Sequence, residues 1–88
     1  MARVIVYTAI PCGFCSAAIR FLREVKGQEQ LDIIDITGDV DARIALYKRT
    51  GQRTVPQIFI NETHIGGYDN LREKDARGEI DPLLAQQP

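Results

Sequence analysis

Apolar residues recur along the chain with two periods, and each predicts a different element. Residues 3–8 hold the β-branched and aromatic run Val4-Ile5-Val6-Tyr7, which predicts a strand, and Ile10-Pro11-Cys12-Gly13 predicts a loop after it. Over residues 14–26, Phe14, Ala18, Phe21, Leu22 and Val25 fall at helical spacing, one face of a helix that stops at Gly27. Residues 31–36 form a second strand, rich in Ile, between Gly27-Gln28 and Thr37-Gly38-Asp39. A second helix, capped by Asp39 or Asp41, runs through Ile44, Ala45, Leu46 and Tyr47 to Gly51. Beyond Pro56, Ile58-Phe59-Ile60, the turn Asn61-Glu62-Thr63 and His64-Ile65 predict a β-hairpin. Gly66-Gly67 then leads into a third helix from about Tyr68 to Ala76, and Leu83 and Leu84 suit a short helical tail over the sheet.

Two strands joined through a helix are expected to be parallel with a right-handed crossover, while the hairpin adds antiparallel strands at one side. The fold class is therefore α/β: a mixed four-stranded sheet flanked by helices in the order βαβαββα, the thioredoxin-like arrangement. Eighty-eight residues have room for one core, so residues 1–88 are expected to form a single domain. The formal charge of −1 supplies no global basic field, so neither nucleic acid nor an anionic membrane is an expected partner. No stretch approaches the roughly 18 apolar residues of a membrane span. The first residues lack the basic and apolar regions of a leader peptide, and a cytoplasmic setting is expected.

Cys12 and Cys15 are the only cysteines. A bond across so short a loop would stabilise little, which makes reversible chemistry the better reason for the pair. A structural zinc site needs four ligands, and besides the two cysteines the chain offers one histidine, His64. A c-type haem attachment needs His after the second cysteine, where Ser16 stands. A dithiol between a strand and a helix remains, the context of a thioredoxin-like redox centre. Cys12 at the helix start meets unpaired N–H groups and the positive end of the dipole, which should lower its pKa and make it the attacking sulfur. Cys15, one turn on, is expected to resolve the mixed disulfide.

The chain resembles the small bacterial-type dithiol glutaredoxins over nearly its whole length. The resemblance is carried by Val4-Ile5-Val6-Tyr7-Thr8 before Cys12-Gly13-Phe14-Cys15, by the segment from Thr50-Gly51-Gln52 through Arg53-Thr54-Val55-Pro56 to Ile60, and by Ile65-Gly66-Gly67-Tyr68-Asp69-Asn70-Leu71. It implies glutathione-dependent reduction of protein disulfides and of glutathione mixed disulfides, with glutathione as reductant. It also implies a cis peptide before Pro56 that leaves the Val55 backbone free to pair with the glutathione cysteine. Phe14 and Thr54 would line the same site. The turn Gly67, Tyr68, Asp69 and Asn70 would hold the γ-glutamyl group, with Asp69 taking the ammonium, and Arg43 and Arg53 would lie near the glycine carboxylate. Lys48 and Arg49 are read as solubilising charges and His64 as a surface residue.

Four positions depart from the family pattern. Gly13 stands where Pro is common, Phe14 where Tyr is common, Ala9 where Lys is frequent, and Asn70 where a second acid is usual. Cys12-Gly13-Phe14-Cys15 also resembles a hybrid with the Cys-Gly-Phe-Ser members. The alternative it implies is a [2Fe–2S] carrier, with Cys12 of two subunits and two glutathiones as ligands in a cluster-bridged dimer. The principal expectation is a monomeric oxidoreductase acting on disulfide-containing or glutathionylated proteins.

Overall fold

Alternation along the first strand gives the molecule its two cores. In the computed structural model, which describes residues 2–87, Val4, Val6 and Thr8 of β1 (Val4–Thr8) point to one side of the sheet and Ile5 and Tyr7 to the other. β1 pairs in parallel with β2 (Asp32–Asp35) and antiparallel with β3 (Gln57–Ile60), which in turn pairs antiparallel with β4 (Thr63–Gly66). The strand order is β2-β1-β3-β4. The expected mixed sheet is thus formed, with β2 at one edge and the hairpin at the other. β3 is buried at all four positions because helices cover both faces.

On one face Val4, Val6, Ile58, Ile60 and Ile65 pack against α1 (Gly13–Arg20) and the helical turn that continues it, α3 (Tyr68–Ala76) and α4 (Ile80–Ala85), through Ala18, Leu22, Leu71 and Ile80. On the other, Ile5, Tyr7 and Phe59 pack against Ala42 and Leu46 of α2 (Val40–Thr50). α4 is the expected helical tail, and Leu83 and Leu84 pack against the core as its pattern suggested. Asp39, rather than Asp41, caps α2: its carboxylate accepts the Ala42 N–H at 3.0 Å. Gly51 closes the helix at φ 78°, where its N–H reaches the Tyr47 carbonyl at 2.7 Å.

The apolar stripe of the first helix is shorter than its spacing implied. Phe14 and Val25 are 63% and 62% exposed. From Phe21 to Val25 the helix widens into a π-helical turn in which the Lys26 N–H bonds the Phe21 carbonyl. The extra residue in that turn rotates Val25 away from the face occupied by Leu22. Lys26 then joins three elements, since its ammonium pairs with Asp75 of α3 and, at 3.0 Å, with Asp81 of α4.

Candidate active site

The two cysteines lie where β1 hands over to α1. Cys12 has extended backbone (φ −157°, ψ 103°) and caps the helix with its sulfur, which accepts the Cys15 N–H at 3.1 Å. The pair forms a disulfide with a Cα–Cα distance of 5.3 Å. Their exposures differ: Cys15 is buried, whereas Cys12 is half-buried. An outside sulfur therefore has its approach through Cys12. The loop before it is tied to β2, because the Ile10 N–H donates to the Thr37 hydroxyl at 2.8 Å and that hydroxyl donates to Asp35. The hydrogen bonds from the Thr37 hydroxyl and N–H hold the Asp35 carboxyl below its ordinary pKa. Ile10-Pro11 is a cis peptide, which the sequence reading did not anticipate, and Val55-Pro56 is cis, as the resemblance implied.

Cys12 Sγ lies 3.7 Å from the Val55 carbonyl oxygen, beside a groove of about 500 Å³. Phe14 and Tyr68 flank this groove with ring centroids 6.3 Å apart. Arg53, Thr54, Val55 and Pro56 form another wall, and Gly67, Asp69 and Asn70 contribute the turn into α3. Of the residues assigned to this site by resemblance, only Arg43 is elsewhere. Ala42 and Leu46 take the buried face of α2, so Arg43, one residue round the helix, points outward and lines a neighbouring groove of about 330 Å³ with Val40, Ile44, Tyr47 and Arg53. Arg53 belongs to both grooves, its guanidinium 4.7 Å from the Tyr47 ring centroid.

Asn70 has a defined task in place of the usual acid. Its Oδ1 accepts the Gly67 N–H at 2.9 Å and so caps α3 from within. That amide is consequently occupied, leaving Tyr68, Asp69 and Asn70 as the first-turn N–H donors free of an intrahelical bond, since the first such bond is Leu71 N–H to the Gly67 carbonyl. Asp69 is exposed at the same helix start, so the turn offers backbone N–H donors and one carboxylate.

Two glutamines were missed by the sequence reading. Gln52 lines the main groove. Gln57, 1% exposed, donates through Nε2 to the Gln52 carbonyl at 2.9 Å and anchors the loop that carries Arg53, Thr54 and Val55. The signal available was a polar side chain directly before the apolar run of β3, a position where a buried amide needs a partner.

His64 and Arg49 also differ from expectation. His64 is half-buried, its ring 5.0 Å from that of Phe59, with Nε2 buried and unpartnered among the described residues. Burial, reinforced by the nearby Arg49 charge, lowers its pKa below 6.5. Arg49 stacks over Phe59 at 4.3 Å, so it packs on the sheet rather than merely solubilising α2.

Comparison with known proteins agrees with this architecture. The family model described as Glutaredoxin matches residues 4–65. The chain is 45% identical over 86 residues to Glutaredoxin 3 of Escherichia coli strain K12, covering 96% of this chain and 99% of that protein. It is 47% identical over 88 residues to a "probable glutaredoxin" of Synechocystis sp., covering 99% of this chain and 79% of the relative. The crystal structure of a buckwheat glutaredoxin–glutathione complex is similar with a TM-score of 0.81 at 37% identity, over 94% of this chain and 76% of that one. The solution structure of a glutaredoxin from Brucella melitensis is similar with a TM-score of 0.79 at 34% identity, over 96% and 89%.

Proposed function

Because the chain belongs to the glutaredoxin family and its fold presents a Cys-Gly-Phe-Cys pair, we propose that this thiol-disulfide oxidoreductase reduces protein disulfides and glutathionylated proteins at the expense of glutathione. The observation that carries the reading is the Cys15 N–H donating to the Cys12 sulfur at 3.1 Å, at a helix start beside the cis-Pro56 groove. A sulfur so placed is favoured as thiolate.

In the forward half-reaction the Cys12 thiolate attacks one sulfur of a substrate disulfide. A mixed disulfide forms, and the other substrate sulfur leaves as thiolate and is protonated. Cys15, as thiolate, attacks the Cys12 sulfur, closing the Cys12–Cys15 disulfide and releasing the second substrate thiol. One glutathione thiolate then attacks Cys12 and frees Cys15, and a second attacks the bound glutathione sulfur and frees Cys12. The net reaction converts one protein disulfide and two glutathiones into one protein dithiol and one glutathione disulfide. A glutathionylated substrate needs Cys12 alone, which accepts the glutathionyl group and passes it to a second glutathione.

The groove supplies groups that match glutathione. The Val55 backbone, whose carbonyl oxygen lies 3.7 Å from Cys12 Sγ, can pair with the tripeptide's cysteine in an extended contact. The Tyr68 and Asp69 amides at the start of α3 suit the γ-glutamyl carboxylate, and the Asp69 side chain suits its ammonium. Arg53 suits the glycine carboxylate. A glutathione-coupled assay with two substrates tests the reading. Cys15→Ser should keep deglutathionylation and lose reduction of intramolecular protein disulfides, while Cys12→Ser should lose both. Retention of either activity by Cys12→Ser would sink the assignment, as would alkylation of Cys12 near neutral pH no faster than that of a model thiol.

A further inference from the structure

α2 turns Ala42, Leu46 and Arg49 to the sheet. On its solvent side Val40, Ile44 and Tyr47 follow one another at helical spacing and are 65%, 48% and 39% exposed. They form an apolar stripe beside Arg43 and Arg53 along the groove of about 330 Å³. Among the described residues neither arginine makes an ion pair, although six such contacts are formed elsewhere on the surface. The Tyr47 ring beneath Arg53 holds one of these cations at the groove margin. Apolar surface bordered by unpaired cations fits an apolar side chain with a carboxylate next to it.

We propose that this face of α2 docks the polypeptide of the disulfide-bearing protein substrate. An apolar side chain lies along Val40, Ile44 and Tyr47, and a neighbouring acidic residue meets Arg43 and Arg53, while the substrate cysteine reaches Cys12. The proposal rests on the oxidoreductase reading and adds the recognition of the protein partner. Arg53 makes the two grooves continuous, so a chain leaving the Cys12 groove past Arg53 enters the α2 groove directly. Glutathione has no large apolar side chain for the stripe, so the stripe distinguishes a protein substrate from the reductant. Because protein and glutathione react in separate half-reactions, they can use Arg53 in turn.

Two synthetic disulfide-bonded peptides test this, one with Leu and Glu beside the reacting cysteine and one with Ser and Lys in their place. The wild-type protein should show a KM about tenfold lower for the Leu/Glu peptide. The double variant Val40→Ser/Ile44→Ser, altered only at exposed positions, should raise that KM to the Ser/Lys level. Its turnover of the mixed disulfide of glutathione and 2-mercaptoethanol should be unchanged. In parallel, titration of the isotopically labelled protein with the reduced Leu/Glu peptide should shift the α2 amide resonances. Equal KM values for the two peptides, or amide shifts that bypass α2, would overturn the docking face. So would a wild-type dimer in sedimentation that the double variant dissolves, since the occupant would then be a second copy. Absence of any glutathione-coupled turnover in the wild type would instead strike the oxidoreductase reading, and the titration would still decide whether α2 binds the peptide.

Discussion

Asn70 Oδ1 accepts the Gly67 N–H at 2.9 Å and occupies the space beside the Gly66 Cα, so one side chain both caps α3 and packs the turn leading into it. A Cβ at Gly66 would stand 2.5 Å from that oxygen and 2.8 Å from the Asn70 Cγ, at a backbone φ of +114°. Gly66→Ala should therefore cost about 2–3 kcal/mol, the sum of a strained φ and a displaced cap. At Gly67 a Cβ would meet the Pro56 carbonyl oxygen at 3.5 Å and Asn70 Oδ1 at 3.8 Å, both ordinary contacts. Gly67→Ala should cost less than about 1 kcal/mol. Urea unfolding of the two variants measures the contrast, and equal losses would contradict it.

Gln57 holds the Gln52 carbonyl with its Nε2, while its Oε1 is buried without a partner among the described residues. Gln57→Leu removes one hydrogen bond and also one unsatisfied acceptor, so the net stability change should stay within about 1 kcal/mol. The loop bearing Arg53 and Val55 loses its anchor. The KM for glutathione should rise about threefold to tenfold, with kcat for a small mixed disulfide much less affected. A KM unchanged in Gln57→Leu would show that the loop is held by its other contacts.

Alternation made the strands legible, since Val4 and Val6 against Ile5 and Tyr7 already separate the two faces that the cores occupy. The cysteine pair was legible from its own spacing between a strand and a helix, whereas the segments around Pro56 and Gly67 were assigned through the family resemblance, and it is the fold that brings them to one groove. What escaped depended on rotation or depth. Val25 and Arg43 have the right composition for the roles expected of them, but a π-helical turn moves one out of the core and the packing of Ala42 and Leu46 turns the other away from the main groove. His64 alternates with Ile65 along β4, so pattern alone made it a solvent-facing residue. It is partly covered by the ring of Phe59, its cross-strand partner on β3, and by the nearby charge of Arg49, which α2 brings over the same ring.

Gly13 is the first residue of α1, its φ lies outside the left-handed region, and a side chain there would meet nothing within 4 Å. Neither sterics nor backbone conformation requires a glycine. Proline is well suited to the first helical position, and the extended Cys12 before it has the conformation a following proline demands. Gly13→Pro should stabilise the protein by about 0.4–1 kcal/mol by restricting the unfolded chain. Thermal unfolding measures this, and destabilisation would mean that the helix start needs the freedom of glycine.

Because burial lowers the His64 pKa, the folded protein favours the neutral ring. Between the folded pKa and 6.5 the unfolded chain binds more protons, so stability falls as pH is lowered through that interval and levels off below it. His64→Val removes the titrating group and places a β-branched residue, suited to a strand, on β4. The difference in urea midpoint between pH 7.5 and pH 5.5 should be smaller in this variant than in the wild type. An identical difference would assign the acid sensitivity to other groups.

Lys26 links the end of the first helix to α3 and α4, and its two partners differ in environment: the side chain of Asp75 is 22% exposed and that of Asp81 is 74% exposed. Hydrogen bonds to Asp75 and then to Asp81 raise the Lys26 pKa above 10.5. The stabilisation is therefore complete below pH 10.5 and is lost as pH rises through the higher folded value. Lys26→Met should cost about 1–3 kcal/mol at neutral pH, chiefly by leaving Asp75 without its cation. Asp81→Asn, at a largely solvated position, should cost less than about 0.5 kcal/mol. A double-mutant cycle should accordingly give a larger coupling for Lys26 with Asp75 than for Lys26 with Asp81. Equal couplings would show that the two carboxylates share the ammonium evenly and that the partly buried one has no privileged hold on the junction of the three helices.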